Sequence, residues 1–169
     1  ALIGEKLGHS YSKLIHEAFG LYSYELVSLP RDRVGEFMEN GDFDAFNVTI
    51  PYKRTVIPYC SYISPEAQKI GSVNTVIRTQ DGLHGFNTDY FGFKSMAARA
   101  GIDFAGKKVV ILGSGGTSLT VRAVAADCGA DRITVVSRSG EYNYENLEKL
   151  SDCEVLINTT PVGMYPNNG

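Results

Sequence analysis

The feature that most constrains the fold is a buried strand, a glycine turn and a helix in direct succession in the second half of the chain. Residues 107–112 predict a strand that is apolar on both faces, residues 113–116 a turn, and residues 119–128 a helix rich in Ala and Val. Residues 133–136 predict a second strand of the same apolar kind. Such strands are typical of parallel sheets covered by helices, so this half predicts a βαβ unit.

The glycine turn carries the clearest chemical signal. Between a buried strand and a helix, the backbone N–H groups of such a turn can approach a pyrophosphate, and the positive end of the helix dipole stabilises the anion. Ser118 stands where the standard GxGxxG pattern has its third glycine, which leaves a purely structural turn as the alternative. The residues predicted to bind a dinucleotide here are Gly113, Ser114, Gly115, Gly116 and Thr117.

The residues after the second strand indicate which nicotinamide cofactor fits. An acidic side chain at this point binds the ribose 2′-OH of NAD and repels the 2′-phosphate of NADP. This chain instead has Ser137, Arg138 and Ser139, and its first carboxylate is Glu141. Arg138 offers a planar fork of donors to a phosphate, and the serines offer hydroxyls, so NADP is predicted. The alternative is that Arg138 is a solvated loop cation.

Composition favours a protein that binds small molecules. The 169 residues are 43% hydrophobic and 21% charged, a globular balance, and the net charge of −3 with no basic run argues against a nucleic-acid partner. The sequence contains no run of about 18 apolar residues, so no membrane span is predicted. The three cysteines and three histidines lack metal-like spacing. We therefore expect reduced thiols, a cytoplasmic location and no metal site.

The first half predicts a separate α/β domain. The predicted elements of this half are, in order, a strand at 2–3, a helix containing Leu14, Ile15, Ala18 and Phe19, a strand at 24–29, a helix from 34 to about 40, a strand at 45–50 closed by Pro51, a helical segment at 53–59, a helix starting at Ser64-Pro65, a β-hairpin over 73–87 and a helix over 90–100. Ser10 or Ser12 is expected to cap the first helix. A helix over 141–150 and a strand at 155–157 complete the second half, and the domain boundary is expected near 101–106.

Three polar clusters fall at the ends of predicted elements in the first half, at 9–12, 47–53 and 87–89. Their hydroxyls, amides and charges suit a polyhydroxylated, carboxylated small molecule. A lysine and an aspartate within hydrogen-bond reach could move the proton that accompanies hydride transfer at an alcohol, which makes Lys53 and Asp89 candidates. Taken singly, each residue also fits a structural role, such as a helix cap, a strand end or a surface cation.

Six ordered motifs across the chain resemble the shikimate dehydrogenase family. They are residues 8–16 (GHSYSKLIH), 46–53 (FNVTIPYK), 71–75 (GSVNT), 85–92 (GFNTDYFG), 112–116 (LGSGG) and 158–164 (NTTPVGM). Six motifs in order are far more specific than any one of them.

The resemblance implies reversible reduction of 3-dehydroshikimate to shikimate by NADPH, in aromatic amino-acid biosynthesis. It implies an α/β substrate-binding catalytic domain over 1–100, followed by a partial Rossmann-type NADP-binding domain over 101–169, and it is compatible with a homodimer. Lys53 and Asp89 would be the catalytic pair and would also contact the substrate. The other substrate-binding residues implied are Ser10, Ser12, Asn47, Thr49, Asn74 and Thr88. Beside the glycine loop and residues 137–139, the cofactor residues implied are Asn158, Thr160 and Met164.

The chain departs from the family pattern at two points. Ser137 stands where family members often have asparagine, and Glu141-Tyr142 stand where a second basic residue often follows. Family enzymes also continue with further nucleotide-binding sheet and C-terminal helices, so, with Ala1 in place of an initiator Met, we expect a fragment. Two alternatives remain open: an NAD-dependent quinate/shikimate paralogue and a non-catalytic ligand-sensing fragment. Ser10, Ser12 and Arg138 favour an NADP-dependent shikimate dehydrogenase over the paralogue. The presence of both Lys53 and Asp89 argues against a non-catalytic ligand-sensing fragment.

Overall fold

The computed structural model describes residues 1–8 and 10–163. The chain forms two compact units, Ala1–Thr88 and Asp89–Gly169. Each has its own sheet and core, and the predicted α/β fold class is confirmed. The assignment of a substrate-binding domain to 1–100 and a nucleotide-binding domain to 101–169 stays a prediction.

The first unit is built on a six-stranded mixed sheet. Its strands are β1 (Leu2–Gly4), β2 (Leu26–Ser28), β3 (Ala45–Val48), β4 (Tyr62–Ile63), β5 (Thr75–Thr79) and β6 (Gly82–Phe86). The strand order is β2-β1-β3-β5-β6-β4. β1 pairs in parallel with β2 and β3, and β5 pairs antiparallel with β3 and β6, which confirms the hairpin. The short β4, parallel to β6, was not predicted.

Strand β3 positions the polar groups of this unit. Phe46 and Val48 are 2% exposed and point into the core, which also contains Ile3, Met38 and Val76. Because successive side chains of a strand point to opposite faces, Asn47 lies on the other face, where it is half-buried.

The helices of the first unit are α1 (Ser12–Ala18), α2 (Val34–Asn40) and α3 (Pro65–Ile70). α3 follows its sequence signals closely: the Ser64 side chain accepts a hydrogen bond from the Ala67 N–H at 3.3 Å, Pro65 is the first helical residue, and Gly71 ends the helix with φ +68°. The predicted capping of α1 is confirmed for Ser10 in a shifted form. Tyr11 occupies the N-cap position of this fully described helix without a side-chain cap bond, and Ser10 Oγ accepts from the N–H of Ser12, the first helical residue, at 3.2 Å.

The helical segment predicted over 53–59 forms only in part. The chain makes turns here and ends in a short 3-10 helix, Ile57–Tyr59. Pro58 gives the physical reason, because it has no N–H to donate and its ring clashes with the carbonyl four residues earlier in an α-helix.

The second unit is a parallel three-stranded sheet with helices. Its elements are α4 (Thr88–Arg99, of which all but Thr88 belongs to this unit), β7 (Lys108–Leu112), α5 (Gly116–Asp127), β8 (Arg132–Val136) and β9 (Val155–Asn158). The order β8-β7-β9 confirms the βαβ unit, and Leu112 pairs with Val136 on one side and Asn158 on the other. The loops that follow these three strands therefore leave the sheet at one edge.

The α-helix predicted over 141–150 is wrong. Every residue of this segment is described, and it contains only a 3-10 helix, Leu147–Leu150. Two asparagines explain the difference. The Asn143 and Asn146 side chains accept hydrogen bonds from nearby backbone N–H groups at 2.8 and 2.9 Å, and Asn146 also donates to the Glu141 carbonyl. Such local bonds compete with the helical ladder.

Among residues 1–8 and 10–163, none of the helices has the length and apolar character needed to span a bilayer. The same residues contain no group of three or more His, Cys, Asp or Glu side chains that could hold a metal ion.

Candidate functional site

In the first unit, Asn47 lies at the centre of a hydrogen-bonded set. Its Oδ1 accepts from the Tyr24 hydroxyl at 2.7 Å, and its Nδ2 donates to Thr75 Oγ1 at 3.1 Å and to the Asn74 carbonyl at 3.4 Å. Both ends of the amide are therefore engaged, so the orientation of the Asn47 side chain is fixed.

Asn74 connects this set to the start of α4. Its side chain is buried, and its Oδ1 accepts from the Thr88 N–H at 2.9 Å, the Thr88 hydroxyl at 3.2 Å and the Thr75 hydroxyl at 3.0 Å. Three of the predicted substrate residues, Asn47, Asn74 and Thr88, thus form one continuous network through Thr75.

Ser10 and Ser12 join the network through Tyr24. Ser10 Oγ accepts from the Ser12 N–H at 3.2 Å, and the Ser12 side chain lies close enough to the Tyr24 hydroxyl to affect its pKa. Burial raises the pKa of Tyr24 to about 12, with repulsion from Tyr22 adding to the rise and the nearby Ser12 side chain opposing it. The phenol therefore stays protonated at neutral pH and donates to Asn47.

Sequence reasoning missed Tyr24 and Thr75. Tyr24 is 3% exposed, and a buried tyrosine hydroxyl normally has a polar partner, which was the available signal. Thr75 directly follows Asn74 in a motif, but its role depends on β3 pairing with β5, where Asn47 stands opposite Thr75.

Thr49 and Lys53 follow the end of β3. The Thr49 N–H donates to the Ile3 carbonyl at 2.9 Å, and its methyl group lies so near Gly4 that a Cβ there would approach within 2.7 Å. The half-buried Lys53 is fixed at its backbone, where its carbonyl accepts from the Val73 N–H at 2.8 Å. Asp89 is an exposed residue in the first turn of α4 and belongs to the second unit. The pairing of Lys53 with Asp89 stays a prediction.

In the second unit, the glycine loop has the geometry of an anion-binding turn. Gly113 has φ +100°, and a Cβ there would lie 3.0 Å from both Thr159 Oγ1 and Thr160 Cγ2. Gly115 is the N-cap residue of α5, and within this fully described turn no side chain caps the helix. The backbone N–H groups at the start of α5 therefore lie at the exposed loop, where a phosphate can accept hydrogen bonds from them.

Ser118 explains the departure from the GxGxxG pattern. The third glycine of that pattern allows close packing of helix on strand. Ser118 is 1% exposed at this position, so its small side chain is buried at the start of α5.

The two neighbouring loops leave the same edge of the sheet. After β8, Arg138 and Ser139 are exposed, and the Ser137 N–H donates to the Tyr142 carbonyl at 3.1 Å. At the end of β9, Asn158 Oδ1 accepts from the Thr160 N–H at 2.9 Å and from the Thr160 hydroxyl at 2.7 Å. The Thr159 hydroxyl donates to the Leu112 carbonyl at 2.7 Å. Thr159, which fastens β9 to the glycine loop, was not predicted. Met164 lies outside the described residues, as does His9.

A glycine loop at a helix start, beside an arginine loop at the carboxyl edge of a parallel sheet, is the arrangement of Rossmann-type α/β proteins, and the fold places the chain in that class. The family model described as the shikimate dehydrogenase substrate binding domain matches residues 2–76. A shikimate dehydrogenase (NADP(+)) of Clostridium perfringens is 39% identical over 98% of this chain and 69% of the relative.

Two solved structures are similar along nearly the whole chain. A chorismate mutase/shikimate 5-dehydrogenase fusion protein from Clostridium acetobutylicum is 40% identical with a TM-score of 0.91, over 98% of this chain and 67% of that one. A shikimate 5-dehydrogenase from Thermus thermophilus, in complex with NADP(H) and shikimate, is 31% identical with a TM-score of 0.82, over 96% and 68%. The chain belongs to the shikimate dehydrogenase family, as its six motifs predicted.

Proposed function

We propose that the protein is an NADP-dependent shikimate dehydrogenase, an oxidoreductase that reversibly reduces 3-dehydroshikimate to shikimate in aromatic amino-acid biosynthesis. The observation that carries this proposal is the network of hydroxyls and amides around Asn47. It lies in the unit whose residues 2–76 match the family's substrate binding domain.

The first unit supplies groups suited to a polyhydroxylated carboxylate. Hydroxyls and amides can both donate to a carboxylate and exchange hydrogen bonds with alcohols. Because the Asn47 and Asn74 side chains are held by protein partners, they are oriented before a ligand arrives, which lowers the entropic cost of binding. The substrate-binding residues proposed are Ser10, Ser12, Asn47, Thr49, Lys53, Asn74, Thr88 and Asp89.

Lys53 and Asp89 are the proposed catalytic pair. Reduction of the ketone adds a hydride to carbon and a proton to oxygen, and oxidation of the alcohol reverses both transfers. The Lys53 ammonium hydrogen-bonds the reacting oxygen and exchanges the proton with it, while the Asp89 carboxylate orients and polarises the ammonium.

The second unit fits a dinucleotide with a 2′-phosphate. The loop from Gly113 to Thr117 presents N–H groups to the pyrophosphate, and the exposed Arg138, flanked by Ser137 and Ser139, offers donors to the 2′-phosphate. Asn158, Thr160 and Met164 are proposed for the nicotinamide end. When bound, NADPH supplies the hydride.

The test is NADPH formation from shikimate by the purified enzyme, repeated with quinate and with NAD. We expect the highest kcat/KM with shikimate and NADP. Lys53→Ala should lower kcat by about 10²- to 10⁴-fold, the usual contribution of a positioned proton-transfer group. Lys69→Ala, which removes an exposed lysine of α3 in the same unit, is the matched control and should leave kcat unchanged.

Three results would contradict the proposal. Higher kcat/KM with quinate and NAD would replace it with the paralogue, and unchanged kcat in Lys53→Ala would remove the assigned mechanism. Shikimate binding without turnover would identify a ligand-sensing module.

We also propose a cytoplasmic location and a homodimer. All three cysteines lie among the described residues and are free, as is usual in a reducing compartment. Light scattering of the purified enzyme tests the dimer.

A further inference from the structure

Helix α1 is not held to the first unit by hydrophobic burial. None of its seven residues, all of which the structure describes, is buried, and Leu14 and Ile15 are 68% and 57% exposed. A helix of this length is also marginal in isolation, so contacts outside the helix must fix its position.

Lys13 and His16 of α1 make such contacts, and both reach Tyr24. The His16 ring stacks on the Tyr24 ring with 4.0 Å between centroids and 8° between planes, and the Tyr22 hydroxyl lies 2.6 Å from His16 Nδ1. Lys13 Nζ donates to the Tyr24 carbonyl at 2.7 Å.

Tyr24 is itself a fixed support. It is 3% exposed, packs with Leu2 and Leu7, and donates its hydroxyl to Asn47. Contacts with Tyr24 therefore tie α1 to the body of the unit.

The position of α1 on Tyr24 determines where two substrate-binding hydroxyls lie. Ser12 is four residues before His16, so both side chains are on the same face of the helix. The Ser12 side chain lies near the Tyr24 hydroxyl, and Ser10 Oγ accepts from the Ser12 N–H at 3.2 Å. A helix that shifts on Tyr24 moves both serines.

We propose that His16 is a positioning residue: by stacking on Tyr24 it seats α1 and so places the Ser10 and Ser12 hydroxyls for the substrate. The inference rests on the proposed function, because it takes these serines as substrate ligands. His16 acts through them and needs no contact with the substrate.

The experiment compares His16→Ala, which removes the stack, with His16→Phe, which keeps a ring and loses the bond to Tyr22. His16→Ala should raise the KM for shikimate about three- to tenfold, the range expected when one aromatic pair is lost. The KM for NADP should stay unchanged, since the cofactor residues lie in the other unit, and kcat should change less than twofold. His16→Phe should restore most of the shikimate affinity.

Leu14→Ala is the matched control, because it shortens an exposed side chain of the same helix and should leave every constant unchanged. Hydrogen exchange gives a readout that does not depend on turnover: the amides of α1 should exchange faster in His16→Ala and at the original rate in His16→Phe.

The outcomes separate the inference from the function on which it rests. An unsubstituted enzyme without shikimate turnover overturns both. Normal turnover with an unchanged shikimate KM in His16→Ala overturns the positioning role alone. So does a His16→Phe variant as impaired as His16→Ala, or an equal rise in the KM for NADP.

Discussion

Two glycines of one loop have different physical roles. Gly113 has φ +100°, which L side chains rarely adopt, and it has Thr159 and Thr160 against it. Gly113→Ala should therefore destabilise the protein by about 1–3 kcal/mol, the usual cost of a strained backbone position. Urea unfolding measures this loss.

Gly115 provides the matched comparison. Its φ of −76° is ordinary, and a Cβ there would meet open space. Gly115→Ala should leave the unfolding free energy unchanged but weaken NADP binding, because the methyl group would occupy the space that the pyrophosphate needs. Equal stability loss in the two variants would contradict this division.

The sequence indicated several residues of the candidate site, but it did not indicate how these residues contact one another. Asn47, Asn74 and Thr88 stand out in sequence as polar groups at element ends, and the structure joins them. Tyr24 and Thr75, which complete the network, depend on which strands are neighbours, and no local pattern encodes that.

At the scale of elements, local sequence patterns predicted the helices and strands correctly where no side chain competed for the backbone hydrogen bonds. The β7-α5-β8 succession and α3 follow their apolar periods and caps. The segment 141–150 has helical spacing too, but Asn143 and Asn146 bond the nearby backbone instead. The helix α1 was predicted, but the exposure of Leu14 was not. Apolar residues at helical spacing usually mark a buried face, and here that face is exposed.

Ion pairs connect the amino ends of the parallel strands. Asp152 lies 2.8 Å from both Lys108 and Arg132, and Glu154 lies 2.9 Å from Lys107. The hydrogen bond from Lys108, aided by Arg132, lowers the pKa of Asp152 below its ordinary 3.8, and Lys107 lowers the pKa of Glu154 in the same way.

The sign of the pH dependence follows from these lowered pKa values. The contribution of Asp152 to stability is complete above pH 3.8, its ordinary value, and is lost as the pH falls through the lower folded-state value. Asp152→Asn should lower the melting temperature slightly at pH 7, because the pairs are solvent-exposed, and the difference should disappear in acid or in 1 M salt. Glu148→Gln, outside this group, is the control. A difference that grows in acid would contradict the assignment.

At the scale of the whole molecule, the two proposed binding functions fall in separate units, with the exception of Asp89, a proposed substrate residue that belongs to the second unit. The substrate network is centred on Asn47 in the first unit, and the cofactor loops lie on the sheet edge of the second. The overall class was predictable, because six motifs in order and two kinds of hydrophobic pattern extend over the whole chain. The point at which the chain divides was not, because no composition change marks residues 88–89.

This division makes Arg138 the sharpest test of cofactor choice. Arg138→Ala should raise the KM for NADP about 10- to 100-fold, the range for losing charge-assisted hydrogen bonds to a phosphate. The KM for NAD should stay constant, because NAD has no 2′-phosphate. The KM for shikimate should stay constant, because all of its proposed ligands except Asp89 lie in the first unit and Asp89 is on α4, not in the Arg138 loop. Arg122→Ala, an exposed arginine of α5, is the control. Steady-state kinetics with both cofactors measures these three constants. An equal rise in the KM values for NAD and NADP would show that Arg138 supports the loop without recognising the 2′-phosphate.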